Sequence, residues 1–311
     1  MTLLLQGDAR EVLRAVPDCT VNQIPTSPPY WGQRNYGDDR QIGQEETIEE
    51  YLERLWAVFD KAWRVLTGDG TCWINLGDKY LNNCEQLIPE RFAIGMVERG
   101  WILRGKIVWH KTNPKPESVK SRFSNDWEAI YFFVKSQAHF FQQQFEPYSP
   151  ETIKRCERFV RNGESYDPTR HKRGDHDPRQ APMLVLQRAV KNLIVPGQAP
   201  HGIHVARAYG NGQEVFYKEG RNMRSVWSIP TVGYRGAHFA VWPPRLVARI
   251  IRAGCPKGGV VLDPFVGSGA TLAVAEEEGC SSIGIDLRKD YLEMAAQRVL
   301  AARAKRASPA R

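Results

Sequence analysis

Apolar runs and polar breaks alternate along this chain at intervals that predict strands and helices in turn. Residues 2–6 form an apolar run closing on Gly7-Asp8, a strand that ends in a carboxylate. Helical spacing follows over 9–16, and residues 21–25 lead into the turn Thr26-Ser27-Pro28-Pro29-Tyr30-Trp31. Asn22, Gln23 and Pro25 interrupt that run, and Pro25 removes a ladder donor, so this strand is expected to be weak. Residues 32–46 are polar and rich in Gly, Arg and Asp, the composition of a mobile loop. Thr47 and Glu50 match a capping box at the head of a helix over 48–66, which Gly68-Asp69-Gly70 ends. Residues 71–76 predict a buried strand, Gly77-Asp78-Lys79-Tyr80 a turn, and 88–99 a second helix. Residues 101–110 and 128–134 predict two strands paired as a hairpin around a basic, proline-bearing loop.

From about residue 145 to 224 the apolar periodicity fades. The run Asn222-Met223-Arg224-Ser225-Val226-Trp227 returns the chain to the core, and 238–243 precede a helix over 246–253. Residues 260–271 read as a strand, a glycine-rich turn and a helix start, and 283–286 as a short strand ending in Asp286. A last helix is predicted over 293–304, before a tail of Arg, Lys, Ser and Pro. This punctuation divides the chain into 1–145, an insert over 146–224, and 225–311.

Composition narrows the picture. A chain of 311 residues holds one large domain or one domain with an insert, and 42% hydrophobic residues fill a core. No run approaches the roughly 18 apolar residues of a membrane span, so no membrane partner is expected. Cys19, Cys72, Cys84, Cys156, Cys255 and Cys280 are scattered without a CxxC pair, which suits neither a metal site nor a disulfide framework and points to the cytoplasm. Residues 151–225 hold 14 Lys and Arg against 8 Asp and Glu, so +6 of the net charge of +8 lies there. A basic excess concentrated in one segment points to a polyanionic partner.

Two stretches carry candidate chemistry. In Ser27-Pro28-Pro29-Tyr30 the prolines fix their own φ and hold the preceding residues extended, so the chain itself aims the Ser27 and Pro28 carbonyls beside an aromatic ring. In Asp263-Pro264-Phe265-Val266-Gly267-Ser268-Gly269 a glycine turn follows a strand. A dinucleotide fingerprint starting at Gly267 requires glycine at position 272, where the chain has Leu272, and no lysine follows Gly269 as a phosphate loop requires. Asp286, 23 residues after Asp263, stands where a carboxylate accepts ribose hydroxyls; the plainer alternative is a helix N-cap. The Pro-Cys order of a thiol-nucleophile turn is absent; the chain offers only Cys255-Pro256, in the reverse order.

Together the two stretches resemble the signature of the amino-group DNA methyltransferases that use S-adenosylmethionine, in the circularly permuted order of the beta group. The resemblance covers most of the chain apart from roughly 146–224. It implies a doubly wound, seven-stranded, mostly parallel Rossmann-like α/β sheet with one antiparallel strand and an inserted target-recognition region. It implies Ser27, Pro28, Pro29 and Tyr30 as catalytic residues, with Trp31 either supporting the stack on an extruded base or belonging to the core. S-adenosylmethionine, having no phosphate, fits the glycine turn better than NAD or ATP. Its implied site takes in Asp8, Asp263, Phe265, Gly267, Ser268, Gly269 and Asp286, with residues 238–243, His238, Ala240 and Pro243 among them, as the other wall; a structural role is the alternative for His238. Double-stranded DNA is the implied partner, held by Arg34, Arg40, Lys111, Lys115, Arg155, Arg158, Arg161, Arg170, Lys172 and Arg173. A homodimer, a cognate restriction endonuclease and a nucleoid-associated, cytoplasmic setting accompany that reading. Serine at the first motif position favours cytosine N4 over adenine N6. The rivals are methylation of RNA or a protein amide, and a sequence-specific DNA-binding protein whose catalytic core has decayed.

Overall fold

In the computed structural model, which describes residues 1–35, 37–151, 154, 203–207, 214–218, 221–232 and 242–307, the apolar runs assemble into an eight-stranded sheet. Its strands are β1 (Thr2–Gln6), β2 (Val21–Thr26), β3 (Leu66–Leu76), β4 (Ile102–His110), β5 (Trp127–Val134), β6 (Val226–Ser228), β7 (Val260–Asp263) and β8 (Ser281–Asp286). They lie in the order β1-β8-β7-β2-β3-β5-β4-β6. Neighbours run parallel except at β5, which is antiparallel to both β3 and β4. The expected hairpin and the single reversed strand are both present.

The eighth strand departs from the expected seven. The chain re-entering at Ser225 lies along the outer edge of β4. There Val108 N–H donates to the Ser225 carbonyl at 2.8 Å and Ile229 N–H to that of His110 at 3.0 Å. Trp227 buries its ring beside that edge. An edge strand otherwise presents unpaired backbone groups, and the three residues of β6 cover the Val108–His110 end of this one.

Among the described residues six helices wind over the two faces: α1 (Ala9–Val12), α2 (Ile48–Val65), α3 (Ile88–Glu98), α4 (Pro244–Gly254), α5 (Ala270–Glu277) and α6 (Lys289–Ala307). The capping box of α2 forms as read: the Thr47 hydroxyl accepts from Glu50 N–H at 3.2 Å and the Glu50 carboxylate from Thr47 N–H at 3.3 Å. Below it Tyr51, Leu52, Leu55, Val58, Phe59 and Ala62 recur at helical spacing and are buried, with Cys72, Ile74 and Leu76 of β3 in the same core cluster. Helix α1 is shorter than the 9–16 periodicity and passes into a 3-10 turn over Leu13–Ala15, because Pro17 holds Val16 extended. Strand β3 starts earlier than expected. Its pairing with β2 jumps from Val21↔Leu66 to Gln23↔Thr71, so Gly68-Asp69-Gly70 is taken up as a bulge rather than ending an element.

The polar residues of β2 do structural work that periodicity does not reveal. Gln23 Nε2 donates to the Ile250 carbonyl at 2.7 Å, and Thr71 Oγ1 to that of Gly254 at 2.8 Å. Both carbonyls belong to the C-terminal end of α4, where that of Gly254, the last helical residue, has no intrahelical donor. Asn22 Oδ1 accepts from Val260 N–H at 2.9 Å. The strand is therefore fully buried over residues 23–26 despite its composition, and pairing with β7 registers only at Gln23, before Pro25.

The chain divides into two compact units, Met1–Gln142 with Ser225–Arg311, and Gln143–Arg224. The sheet and its helices form the first. In the second, Phe145–Glu146 pairs antiparallel with Arg221–Asn222, and Ile203–Arg207 with Glu214–Lys218. Glu146 accepts from Arg221 at 2.7 Å and from Arg224 at 2.6 Å. Among the described residues no helix is long and apolar enough to cross a membrane.

Candidate active site

The parallel strands β1, β2, β3, β7 and β8 end at one edge of the sheet, and β5, running the other way, starts there. A hollow of about 720 Å³ opens at this edge, where open α/β sheets bind their ligands. The loop Ser27-Pro28-Pro29-Tyr30 leaves β2 into its wall, and the turn Asp263–Ser268 leaves β7 into the same wall. One hydrogen bond joins the two strand ends: Thr26 Oγ1 donates to Asp263 Oδ1 at 2.6 Å.

Side chains from other elements fix the proline loop. Tyr51 of α2 donates its hydroxyl to the Pro29 carbonyl at 2.7 Å. Among the described residues no backbone N–H donates to the Pro28 carbonyl. The Tyr30 hydroxyl lies 2.9 Å from Glu128 Oε2 and 3.1 Å from Asn75 Oδ1, both acceptors, and itself accepts from Ser27 Oγ at 3.4 Å. A Cβ at Gly77 would stand 2.5 Å from Tyr30 Cε2, so glycine there lets the ring lie against the end of β3. Burial, then the Glu128 carboxylate, hold the Tyr30 phenol well above its ordinary pKa. Trp31 takes the core alternative: it is buried and its indole donates to the Glu45 carbonyl at 2.9 Å.

At the other end, Asp263 is buried and accepts from Thr26 and from Phe265 N–H at 3.1 Å; burial raises its pKa against those bonds. Asp286 Oδ2 accepts from Gly267 N–H at 2.9 Å and Oδ1 from Arg288 N–H at 2.9 Å, so one carboxylate ties the glycine turn to the chain entering α6. Burial pushes its pKa up to about 6. Asp8 caps α1 and holds Arg10 through both carboxylate oxygens; burial opposes its ionisation, and the Arg10 contacts outweigh that and lower its pKa.

The structure brings together Asp8, Ser27, Pro28, Pro29, Tyr30, Arg34, Arg40, Lys111, Lys115, Asp263, Phe265, Gly267, Ser268 and Asp286 around this hollow. Two expected residues lie elsewhere. Gly269, at φ +81°, packs against Ala295 of α6, and Pro243 accepts from Leu246 and Val247 N–H at the head of α4. His238, Ala240, Arg155, Arg158, Arg161, Arg170, Lys172 and Arg173 fall outside the described residues. Arg40 is paired with Asp38 at 2.8 Å, and Lys111 is drawn into the wall, where it pairs with Glu128 and lies 5.3 Å from the Trp109 ring centroid.

Sequence reading missed Asn75 and Glu128; Trp242 lies in the 238–243 stretch expected at the other wall, and it lines the hollow. Asn75 is fully buried: its Oδ1 accepts from Trp242 Nε1 at 2.7 Å as well as facing Tyr30, and its Nδ2 donates to the Ala129 carbonyl at 3.1 Å. The signal available was a lone amide in the apolar run Thr71–Leu76 and a lone carboxylate in the aromatic run Trp127–Val134, each a polar group that burial obliges to find partners.

A family model described as DNA methylase matches residues 21–297. The Type II methyltransferase M.XycI of Xanthomonas campestris pv. cyanopsidis is 32% identical, over 95% of this chain and 87% of that protein. M.Cfr9I of Citrobacter freundii is 31% identical with the same coverage. Among solved structures, TTHA0409 of Thermus thermophilus, complexed with S-adenosyl-L-methionine, superposes with a TM-score of 0.59 over 97% of this chain and 96% of that one, at 22% identity. The PvuII DNA methyltransferase (cytosine-N4-specific) does so with 0.61 over 98% and 92%, at 15% identity; both likenesses are of fold. With motif loops, fold and relatives in agreement, the chain belongs to the DNA methylase family.

Proposed function

We propose that this protein moves a methyl group from S-adenosyl-L-methionine to the exocyclic amino group of a base extruded from double-stranded DNA, at cytosine N4 in preference to adenine N6. The observation that carries this reading is the shared hollow: the proline loop and the glycine turn face it from adjacent strand ends tied by the Thr26–Asp263 bond.

The cofactor end fits a cation without phosphate. Asp8, Asp263 and Asp286 line it, and its glycine turn lacks both the third glycine of a dinucleotide fingerprint and the lysine of a phosphate loop. Asp286 keeps acceptor capacity beyond its two backbone bonds, enough for ribose hydroxyls. When bound, S-adenosyl-L-methionine supplies an electrophilic sulfonium methyl. Phe265, Gly267 and Ser268 line the same end; the role we give them is to hold the donor, while Gly269 supports the turn from behind.

At the acceptor end the lone pair of an aromatic amine is delocalised and must be freed. The Pro28 carbonyl and Ser27 Oγ are the acceptors for the two amino protons, which favours a pyramidal nitrogen aimed at the methyl group. Ser27 is a poor base, so the proton released on transfer passes to water. Tyr30, its hydroxyl held by Glu128 and Asn75, presents its ring to the extruded base. Arg34, Arg40 and Lys115 at the rim, with the basic residues of 151–225, contact phosphates. A homodimer, a cognate restriction endonuclease and a nucleoid-associated cytoplasmic setting complete this reading; the Type II names of the relatives support the endonuclease.

The test is transfer of a tritiated methyl group to DNA followed by mass spectrometry of the nucleosides. Incorporation as N4-methylcytosine is expected, with a loss of roughly 10²-fold or more in Pro28→Ala/Pro29→Ala. Near wild-type transfer by that variant would sink the acceptor mechanism, and N6-methyladenine would replace cytosine as the base.

A further inference from the structure

The loop between β4 and β5, residues 111–126, is pinned at its base and bare at its tip. Lys111 N–H donates to the Asp126 carbonyl at 2.7 Å, and Asn113 Oδ1 accepts from Thr231 N–H at 2.6 Å. Arg122 lies 4.1 Å from the Tyr80 ring centroid, pairs with Glu117 at 2.8 Å, and donates to the Phe123 carbonyl at 2.8 Å. Held by those contacts, Phe123 is 97% exposed, more than any other large apolar side chain among the described residues. Water is the wrong neighbour for a phenyl ring, and a backbone so anchored does not fold it inward.

Its surroundings say what it meets. Pro114, Lys115, Glu117, Asn125 and Trp127 of the same loop and strand line the hollow, whereas Phe123 does not. The ring therefore stands outside the hollow, on a loop whose other residues line it. The loop carries Lys111, Lys115, Lys120 and Arg122 against Glu117 and Asp126, and Lys115 and Lys120 are exposed. An apolar ring among cations suits a stack of bases between phosphates better than a lipid or an acidic peptide, because it offers one wedge and not a continuous apolar face.

We propose that Phe123 inserts into the base stack of duplex DNA at the step vacated by the target base, holding that base extruded in the hollow. This rests on the methyltransferase reading above. Unstacking a base pair is unfavourable, and an aromatic ring occupying the gap offsets it. The effect belongs to extrusion: it disappears when the target base has no partner to leave.

The test uses the full chain and a duplex oligonucleotide containing the site that single-molecule sequencing finds methylated in expressing cells. A second duplex carries an abasic position opposite the target. Phe123→Ala should lose about tenfold or more in single-turnover methyl transfer on the paired duplex and less than about threefold on the abasic one, with Phe123→Trp restoring the paired rate. Cofactor affinity and melting temperature should not move, since a side chain that is 97% exposed leaves no cavity when truncated. Equal losses on both duplexes, or an unchanged rate on the paired one, overturn the wedge while leaving the methyltransferase reading intact. No transfer by the wild type on either duplex would instead overturn both.

Discussion

Asp286 is pulled two ways. Gly267 and Arg288 N–H groups favour its carboxylate, while burial and the nearby charge of Asp263 oppose ionisation, and the balance stands at about 6 against an ordinary 3.8. A carboxyl whose folded pKa is raised contributes stability that is fully present below about 3.8 and is lost as pH rises through about 6, on the order of 3 kcal/mol. For ligand binding the sign is reversed, because only the ionised form accepts two hydroxyls while keeping its backbone bonds. Affinity for S-adenosyl-L-methionine, measured by calorimetry, should be level above about pH 7 and fall as pH drops through about 6. Asp286→Ala should bind about tenfold more weakly and flatten that profile; an unchanged affinity removes Asp286 from the site. The position of this aspartate after an apolar run was legible in the sequence. Its bond to Gly267 was not, since it joins residues on different strand ends.

At the scale of elements, the glycine turn separates two jobs that one motif had merged. Gly267 and Ser268 face the hollow, whereas Gly269 opens α5 with φ +81° and leaves room for α6. A Cβ at position 269 would fall 2.5 Å from Ala295 Cα, a backbone atom that cannot step aside. Gly269→Ala should cost about 2–4 kcal/mol, from the left-handed backbone and overpacking together, read as a lower melting temperature. A melting point within error of wild type would show that α6 moves freely there. The same logic applies to β2, whose Asn22 and Gln23 looked like interruptions. They are the partners of a neighbouring strand and of the last turn of α4, and periodicity cannot see a partner 227 residues away.

At the scale of the whole molecule, charge and catalysis lie on different stretches of the chain. Positions 151–225 contribute +6 of the +8, while the hollow is built from the sheet and its loops. Binding to DNA should therefore weaken steeply with salt. Replacing Arg155, Arg158 and Arg161 with Gln should make the slope of log affinity against log salt shallower by about 0.9 for each phosphate no longer neutralised, without changing cofactor binding. A slope equal to wild type in titrations at several salt concentrations would show that these side chains do not meet phosphates.

By itself the sequence determined what short-range chemistry can determine. Two prolines stiffen a loop, a glycine turn departs from both phosphate-binding fingerprints at Leu272 and in its missing lysine, a capping box starts α2, and apolar periodicity lays out the strands and helices. The tertiary structure alone decided which groups those loops face. The hydroxyl of Tyr30 is set by Asn75, 45 residues on, and by Glu128, 98 residues on, and the two ends of the chain meet where Thr26 bonds Asp263, 237 residues away. A buried polar group must find a partner, but its sequence neighbours do not say which; only the packing of parallel strands into one sheet, with their ends at a common edge, makes that choice.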